Sequence, residues 1–244
     1  MLHNKMNIAI IGYGKMGKEI ERIAKARGIT IASIIDPNDK NANFREINEK
    51  SMANVDVCVD FTRPDAVIDN LIKISKFKKN IVIGTTGWND KLDEAKKIVK
   101  QNNVGLIYAS NFSIGVNIFF RVIENAAKMM DKIKDYDVFG YEIHHSKKLD
   151  SPSGTAKTIE KILASNIKRI DKVNFASVRA GSIPGTHVVG FDSSADTIEL
   201  KHTARNREGF ALGAVMAAEW IQNKKGFYNI DNMMNEIIGD GKNV

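Results

Sequence analysis

The sequence predicts an α/β protein in which a Rossmann-type parallel-sheet domain is joined to a second, α+β domain built on a mixed sheet. Three observations carry this. A glycine-rich turn follows a short apolar run at 7–11. Apolar strand-like runs then alternate with helical segments as far as residue 111. After one further helix-rich stretch, three strand-like runs follow one another between 173 and 203. The first two observations describe βαβ units, whose right-handed crossovers place helices on both faces of a parallel sheet. The third describes strands joined by turns, hence a mixed or antiparallel sheet. The expected division is 1–111 plus 209–244 for one domain and 112–208 for the other.

Taken in order, Asn7-Ile-Ala-Ile-Ile11 reads as a buried strand, followed by a helix over about 15–27. Further strands are expected at 30–35, 55–61, 80–84 and 104–109, with helices at about 64–77 and 90–102. Beyond Asn111 the rhythm changes. Val116, Phe119, Phe120, Ile123, Ala127 and Met130 recur at helical spacing and predict an amphipathic helix over 115–131. A strand at 136–145 and a helix starting near Ser153 come next, then strands at 173–179, 186–191 and 196–203. The segment 208–222 returns to helix, and its small residues Ala211, Gly213, Ala214, Ala217 and Ala218 suit close packing.

Composition bounds the function. The 244 residues are 43% hydrophobic and 27% charged, with a formal charge of +7, an ordinary globular profile. The lysines are spread along the chain, and no basic stripe is interleaved with aromatics, so nucleic acid is not an expected partner. The single cysteine, Cys58, has no intramolecular partner and lies in an apolar run as a small core residue. No apolar run is long enough to cross a bilayer, and Met1–Met6 do not resemble a signal peptide. A cytoplasmic enzyme without membrane partners is expected. His3 is expected to be disordered.

Gly12-Tyr13-Gly14-Lys15-Met16-Gly17 fits G-x-G-x-x-G in the one context that gives the pattern meaning, after an apolar strand and opening a helix. The first glycine permits the tight turn, the second lets backbone approach a pyrophosphate, and the third lets helix and strand pack closely. Asp36 closes the second strand, where a carboxylate accepts hydrogen bonds from adenosine ribose hydroxyls. Pro37 follows it and offers no cation for a 2′-phosphate, so NADH is expected to be preferred over NADPH. Ligands of open α/β sheets bind beyond the carboxyl ends of the strands. Gly84-Thr85-Thr86 and Ala109-Ser110-Asn111-Phe112 are therefore expected to line the cofactor cleft.

The densest polar cluster runs from Glu142 through His144, His145, Lys147, Lys148 and Asp150 to Ser153-Gly154-Thr155. On a strand at 136–145, His144 and His145 point to opposite faces and do not share a role. A histidine donates a proton near neutral pH, and a lysine holds an anion. The start of the helix at Ser153 adds free N–H groups that suit a carboxylate. These groups point to a substrate with one or more carboxylates. A metal is not expected, because adjacent histidines chelate poorly and no third ligand has suggestive spacing. His187 and His202 read as structural or supporting residues.

These residues resemble the dihydrodipicolinate reductase family along nearly the whole chain. The most specific element is E-x-H-H-x-x-K-x-D-x-P-S-G-T-A, met by Glu142 through Ala156. Supporting matches are Gly84–Gly87, Ser110–Asn117, Arg179–His187, and His202–Ala214 with Arg207, Phe210 and Gly213. The resemblance implies transfer of a hydride from nicotinamide C4 to a dihydropyridine-type dicarboxylate in diaminopimelate and lysine synthesis. It implies His144 as proton donor, Lys148 as the essential cation, and His145, Ser153, Gly154 and Thr155 as holders of the substrate carboxylates. It also implies a homotetramer joined through the sheet of the second domain. The glycine turn is one residue shorter than in many members, which have G-x-x-G-x-M-G, and the link before residue 173 is short.

Two other readings share the dinucleotide half. Another nicotinamide-dependent dehydrogenase of a small acidic substrate leaves the His-His-x-x-Lys and Ser-Gly-Thr run without purpose. A non-catalytic NAD(H)-sensing regulator predicts a dispensable Lys148 and a DNA-binding module, for which the sequence offers no candidate. Closure between the two halves is a further expectation, since hydride transfer needs its reactants close and dry.

Overall fold

The computed structural model describes residues 6–170, 172–173 and 175–239. His3 lies outside the described residues. The chain divides into two compact units, Met1–Ser113 with Arg207–Val244, and Ile114–Asn206.

The first unit is built on six parallel strands: β1 (Asn7–Ile11), β2 (Thr30–Ile35), β3 (Val57–Asp60), β4 (Asn80–Ile83), β5 (Gly105–Tyr108) and β10 (Gly226–Asn229). Their order is β10-β5-β4-β3-β1-β2, and every neighbouring pair is parallel. The chain leaves β1 for β2 on one side and returns to β3 on the other, which opens a crevice at the carboxyl end of β1. Ile8 and Ile10 on one face of β1 and Ala9 and Ile11 on the other are all buried, as a strand covered on both sides by helices requires.

The helices of this unit are α1 (Lys15–Ala26), the short α2 (Glu49–Met52), α3 (Val67–Lys76), α4 (Leu92–Asn102), α7 (Glu208–Ile221) and α8 (Ile230–Ile238). In α1, Gly17, Ile20, Ile23 and Ala24 face inward, the three- and four-residue spacing of a helix with one covered stripe. The small residues of α7 let it pack against α1, β3, β4 and β5.

The second unit carries α5 (Ile114–Met130), β6 (Asp137–His144), α6 (Gly154–Asn166), β7 (Phe175–Arg179), β8 (Thr186–Asp192) and β9 (Thr197–Thr203). Its sheet has the order β7-β6-β8-β9. β6 and β7, joined through α6, are parallel, whereas β8 is antiparallel to β6 and β9, so the sheet is mixed. Phe119, Ile123 and Ala127 of α5 meet Ile159 and Leu163 of α6 and Val189 and Phe191 of β8 in a core on one face.

Several elements differ from the sequence reading. Strand β6 ends at His144, so His145 begins the following loop and the two-face argument applies to His144 alone. The stretch 226–238, left unassigned in sequence, forms β10 and α8. Four residues carry too little alternation to mark β10, and its pairing with β5 comes from a distant part of the chain. The strand expected over 173–179 spans Phe175–Arg179, and Asn174 lies outside the described residues.

Candidate active site

Within the first unit, the sequence-selected cofactor residues all sit at carboxyl ends of strands. The glycine turn follows β1, Asp36 follows β2, Gly84–Thr86 follow β4, and Ala109–Phe112 follow β5. The three glycines of the turn serve three physical needs. Gly12 has φ +86, and a Cβ there would lie 2.5 Å from the Phe61 carbonyl oxygen. A Cβ on Gly17 would lie 2.3 Å from the Gly12 carbonyl oxygen, so helix and turn touch through bare backbone. A Cβ on Gly14 would meet nothing within 4 Å. That open approach to the first N–H groups of α1 is a cradle for an anionic group.

Tyr13 is buried, and its hydroxyl is hydrogen-bonded to Glu21. Burial and that carboxylate raise its pKa to about 12. Lys15 is exposed and Met16 half-buried. Asp36 accepts from the backbone N–H of Tyr13 at 2.8 Å through one oxygen, and from Asn38 and Asp39 at 2.8 and 3.0 Å through the other. Burial works against its charge, but these N–H groups outweigh it and hold the carboxyl below its ordinary range. A carboxylate oxygen has about two acceptor positions, so the Oδ2 bonded to Tyr13 retains capacity for a hydroxyl. Pro37 adds no cation, yet the fold brings Arg45 to this loop, where its guanidinium donates to the carbonyls of Asp36 and Asp39.

Thr85 and Thr86 separate. Thr86 is exposed, whereas the buried Thr85 hydroxyl accepts from the Thr62 N–H at 2.9 Å and donates to Asp60 at 3.2 Å. The Trp88 indole N–H bonds to the Thr85 carbonyl. Asp60 is a residue that the sequence reading missed. Its fully buried carboxylate accepts from the Thr62 N–H and hydroxyl, Asn70 and Thr85, tying the ends of β3 and β4 together. Burial raises its pKa despite those bonds. The Phe61 ring lies where a Cβ on Gly84 would be, and the Phe112 carbonyl oxygen lies 1.7 Å from a Cβ position on Gly213. Ala109 and Phe112 are buried, Asn111 is half-buried and Ser110 exposed.

In the second unit, the register aligns Ser177 with Glu142, Glu142 with His187, and His187 with His202. This cross-strand row lies on one face of the sheet, and His144 lies two residues along from Glu142 on the same face. Glu142 is completely buried. Its Oε1 accepts from the Ser153 N–H at 3.0 Å, Ser177 Oγ at 2.9 Å and Arg179 Nη2 at 2.7 Å. Its Oε2 lies 3.4 Å from His144 Nδ1 and 3.3 Å from His187 Nε2. Burial opposes the charge of Glu142, but hydrogen bonds from Ser153, Arg179 and Ser177 hold its pKa down to about 2. His187 falls to about 4, through burial first and then the neighbouring His144. Burial also lowers His144, while the charge of Glu142 pulls the other way.

Ser153 caps α6, its hydroxyl accepting from the Ala156 N–H at 3.1 Å and lying 3.1 Å from His187 Nε2. Gly154 is exposed with open space at its Cβ position, and Thr155 is half-buried beside it; the Gly154 N–H donates to the Asp150 carboxylate, so an anion already sits at the start of this helix. His145 is half-buried. Lys148 pairs with Asp150 at 2.7 Å, and Arg179 also donates to the Asp150 carbonyl at 2.7 Å. His144 Nε2 faces Gly185, where a Cβ would stand 3.0 Å away.

The fold thus supplies what spacing alone did not: Glu142 and His187 as close neighbours of His144, with the three able to offer ligand atoms within 4.8 Å of one another. A cation there would compete with Arg179, whose guanidinium already neutralises the same carboxylate, and would be repelled by it. The alternation of Gly140, Glu142 and His144 along β6 was the available sequence signal; the partner strand was not.

Comparison with known proteins gives a consistent picture. A model of the dihydrodipicolinate reductase N-terminus matches residues 6–112, and one of its C-terminus matches residues 115–234. A 4-hydroxy-tetrahydrodipicolinate reductase of Christiangramia forsetii is 41% identical over 242 residues, spanning 95% of this chain and 99% of that protein. One from Buchnera aphidicola subsp. Schizaphis graminum is 36% identical, with 96% and 97% covered. Among solved structures, a dipicolinate-bound dihydrodipicolinate reductase from Paenisporosarcina sp. TG-14 shares the fold, with a TM-score of 0.79 at 24% identity, covering 93% of this chain and 99% of that one.

Proposed function

The chain belongs to the dihydrodipicolinate reductase family, and on that premise we propose how its residues divide the reaction. It is an NAD(P)H-dependent oxidoreductase, a 4-hydroxy-tetrahydrodipicolinate reductase of lysine biosynthesis. The overall change takes 4-hydroxy-tetrahydrodipicolinate, NAD(P)H and a proton to tetrahydrodipicolinate, NAD(P)+ and water, the water carrying away the 4-hydroxyl. The nicotinamide, when bound, supplies the hydride. The first unit holds this cofactor through the glycine turn, Asp36 and the loops after β4 and β5. Gly14 leaves the first turn of α1 open to the pyrophosphate, and Asp36 accepts the ribose hydroxyls.

In the second unit, Ser153, Gly154 and Thr155 hold a substrate carboxylate at the start of α6, assisted by His145. Lys148 turns from Asp150 to the substrate anion and stabilises charge that develops on the ring. His144 donates the proton. A bound dicarboxylate offsets the effect of burial on His144, because adjacent negative charge favours the imidazolium. The observation that carries this reading is the shared anchor of acid and cradle: one buried carboxylate, Glu142, faces His144 Nδ1 and accepts from the Ser153 N–H at 3.0 Å.

NADH preference follows from Asp36 and Pro37. The Arg45 guanidinium on the same loop supports a second reading, in which a 2′-phosphate is accommodated and both cofactors serve. A homotetramer is supported by the open face of the second sheet, where Phe139, Tyr141 and Ile143 stay half-buried and Val178 is exposed. A cytoplasmic location is the site expected for this biosynthetic chemistry; among the described residues no helix is long and apolar enough to cross a membrane. The deciding experiment is nicotinamide absorbance followed with freshly generated substrate, once with NADH and once with NADPH. No oxidation of either rejects the function, and a higher kcat/KM with NADPH rejects the NADH preference.

A further inference from the structure

Glu142 Oε2 is a buried anionic oxygen with no conventional hydrogen bond. Two imidazole nitrogens face it, His144 Nδ1 at 3.4 Å and His187 Nε2 at 3.3 Å, and the Ser153 hydroxyl also reaches this carboxylate. The other oxygen of the same carboxylate is committed to Ser153, Ser177 and Arg179. A carboxylate only accepts, and each neutral imidazole has one N–H to place on either nitrogen. Leaving a buried anionic oxygen against two imidazole lone pairs costs far more than turning N–H groups toward it.

We infer that Glu142 is the positioning residue of the site: it holds a proton on His144 Nδ1, so the proton given to the substrate leaves from His144 Nε2, over Gly185. The inference rests on the proposed role of His144 as proton donor. Two further features favour it. Gly185 carries no side chain where a Cβ would stand 3.0 Å from Nε2, so this nitrogen is not capped by its neighbour. The Arg179 guanidinium and the Ser177 hydroxyl hold the carboxylate from the β7 side, and the Ser153 N–H holds it from the start of α6. The anion therefore cannot rotate away from the imidazoles without breaking three bonds. His187 then serves as a neutral spacer, with its Nε2–H toward Glu142 and Ser153 Oγ.

The test needs no substitution at first. In long-range proton–nitrogen spectra of histidine-labelled protein, with the His144 signals assigned by their loss in His144→Gln, neutral His144 is expected as the Nδ1–H tautomer. Finding it as Nε2–H overturns the inference. The second arm is Glu142→Gln, an isosteric change that removes the charge and leaves an amide able to present N–H to the imidazole. Its kcat should fall about 10²-fold or more, toward the roughly 10⁴-fold cost of a wrongly set tautomer in a catalytic triad. The dissociation constant for NADH should stay within about twofold, because the cofactor residues lie in the other unit, and the His144 tautomer should shift toward Nε2–H. An unchanged kcat, or a loss of kcat with the tautomer unchanged, overturns the inference. If His144→Gln itself keeps wild-type turnover, the proton-donor reading fails instead, whatever the tautomer.

Discussion

Replacing Gly14 and Gly17 separately by alanine divides the cofactor turn into a part that builds the fold and a part that meets the ligand. An added Cβ at Gly17 stands 2.3 Å from the Gly12 carbonyl oxygen, roughly 1 Å inside ordinary contact. Gly12 cannot yield easily, since it sits at φ +86 and its N–H bonds to the Ile35 carbonyl at 2.9 Å. Overpacking of this kind costs about 1–3 kcal/mol, and for a chain of this size each kcal/mol lowers Tm by roughly 2–4 °C. At Gly14 the backbone is extended with a negative φ of −75, where glycine is not required for its φ, and a Cβ there meets nothing. Thermal stability should be unchanged within about 0.5 kcal/mol. In the proposed reading, the methyl nevertheless stands where the pyrophosphate approaches the start of α1. Loss of one hydrogen bond between a charged phosphate and backbone N–H is worth about 1.5–3 kcal/mol, or roughly 10- to 150-fold in Kd for NADH. Calorimetric titration with NADH and a thermal scan of each variant give both quantities. Gly14→Ala binding NADH within twofold of wild type refutes the placement of the pyrophosphate, and Gly17→Ala with an unshifted Tm refutes the close approach.

At the other site, Lys148→Ala should lower kcat by about 10²-fold or more and leave NADH affinity nearly unchanged. His144→Gln should lower kcat by roughly 10²–10⁴-fold. Near-normal turnover in both variants would reject the proposed chemistry. For the assembly, Ile143→Asp places a charge on the open face of the second sheet and should dissociate the proposed tetramer in sedimentation velocity; a wild-type protein that sediments as a monomer removes the proposal.

The fold was largely legible because its signals are local. A βαβ unit announces itself by apolar runs of strand length separated by helical periodicity, and the glycine spacing marks the turn after β1. What escaped notice depends on long-range pairing. β10 is four residues long and owes its existence to Gly226–Asn229 lying beside Gly105–Tyr108. The same distinction runs through the candidate site. Ser153, as the cap of α6, follows from sequence, because a serine before a helical run satisfies free N–H groups. The row Ser177–Glu142–His187–His202 joins four strands in register, and no spacing in the chain encodes which residues stand opposite. Arg45 escaped for a related reason. Nine residues beyond Asp36, it is returned to that carbonyl by a loop that bonds Phe44 to the edge of β2.

Two buried carboxylates organise the two units with opposite electrostatic signs, and acid should separate them. Glu142, with hydrogen bonds that outweigh its burial, has a pKa near 2 against an ordinary 4.5. The unfolded chain binds the proton first, so the stability that Glu142 contributes is present above pH 4.5 and lost as pH falls toward 2. The shift corresponds to something on the order of 3 kcal/mol. His187 acts in the same direction. Burial holds its folded pKa near 4 against 6.5, so protonation of the unfolded chain already draws on the second unit below pH 6.5. Asp60 works in reverse: burial raises its pKa, the folded state favours the protonated acid, and acidification relieves the first unit of a buried charge. Both tryptophans of the chain, Trp88 and Trp220, belong to that first unit. In an acid titration, far-ultraviolet dichroism should therefore fall before tryptophan fluorescence changes, and Glu142→Gln should flatten the steep part of the early phase between pH 4.5 and 2. Fluorescence that leads or coincides with the loss of dichroism in the wild-type protein would mean that neither Glu142 nor His187 governs acid stability as their surroundings imply.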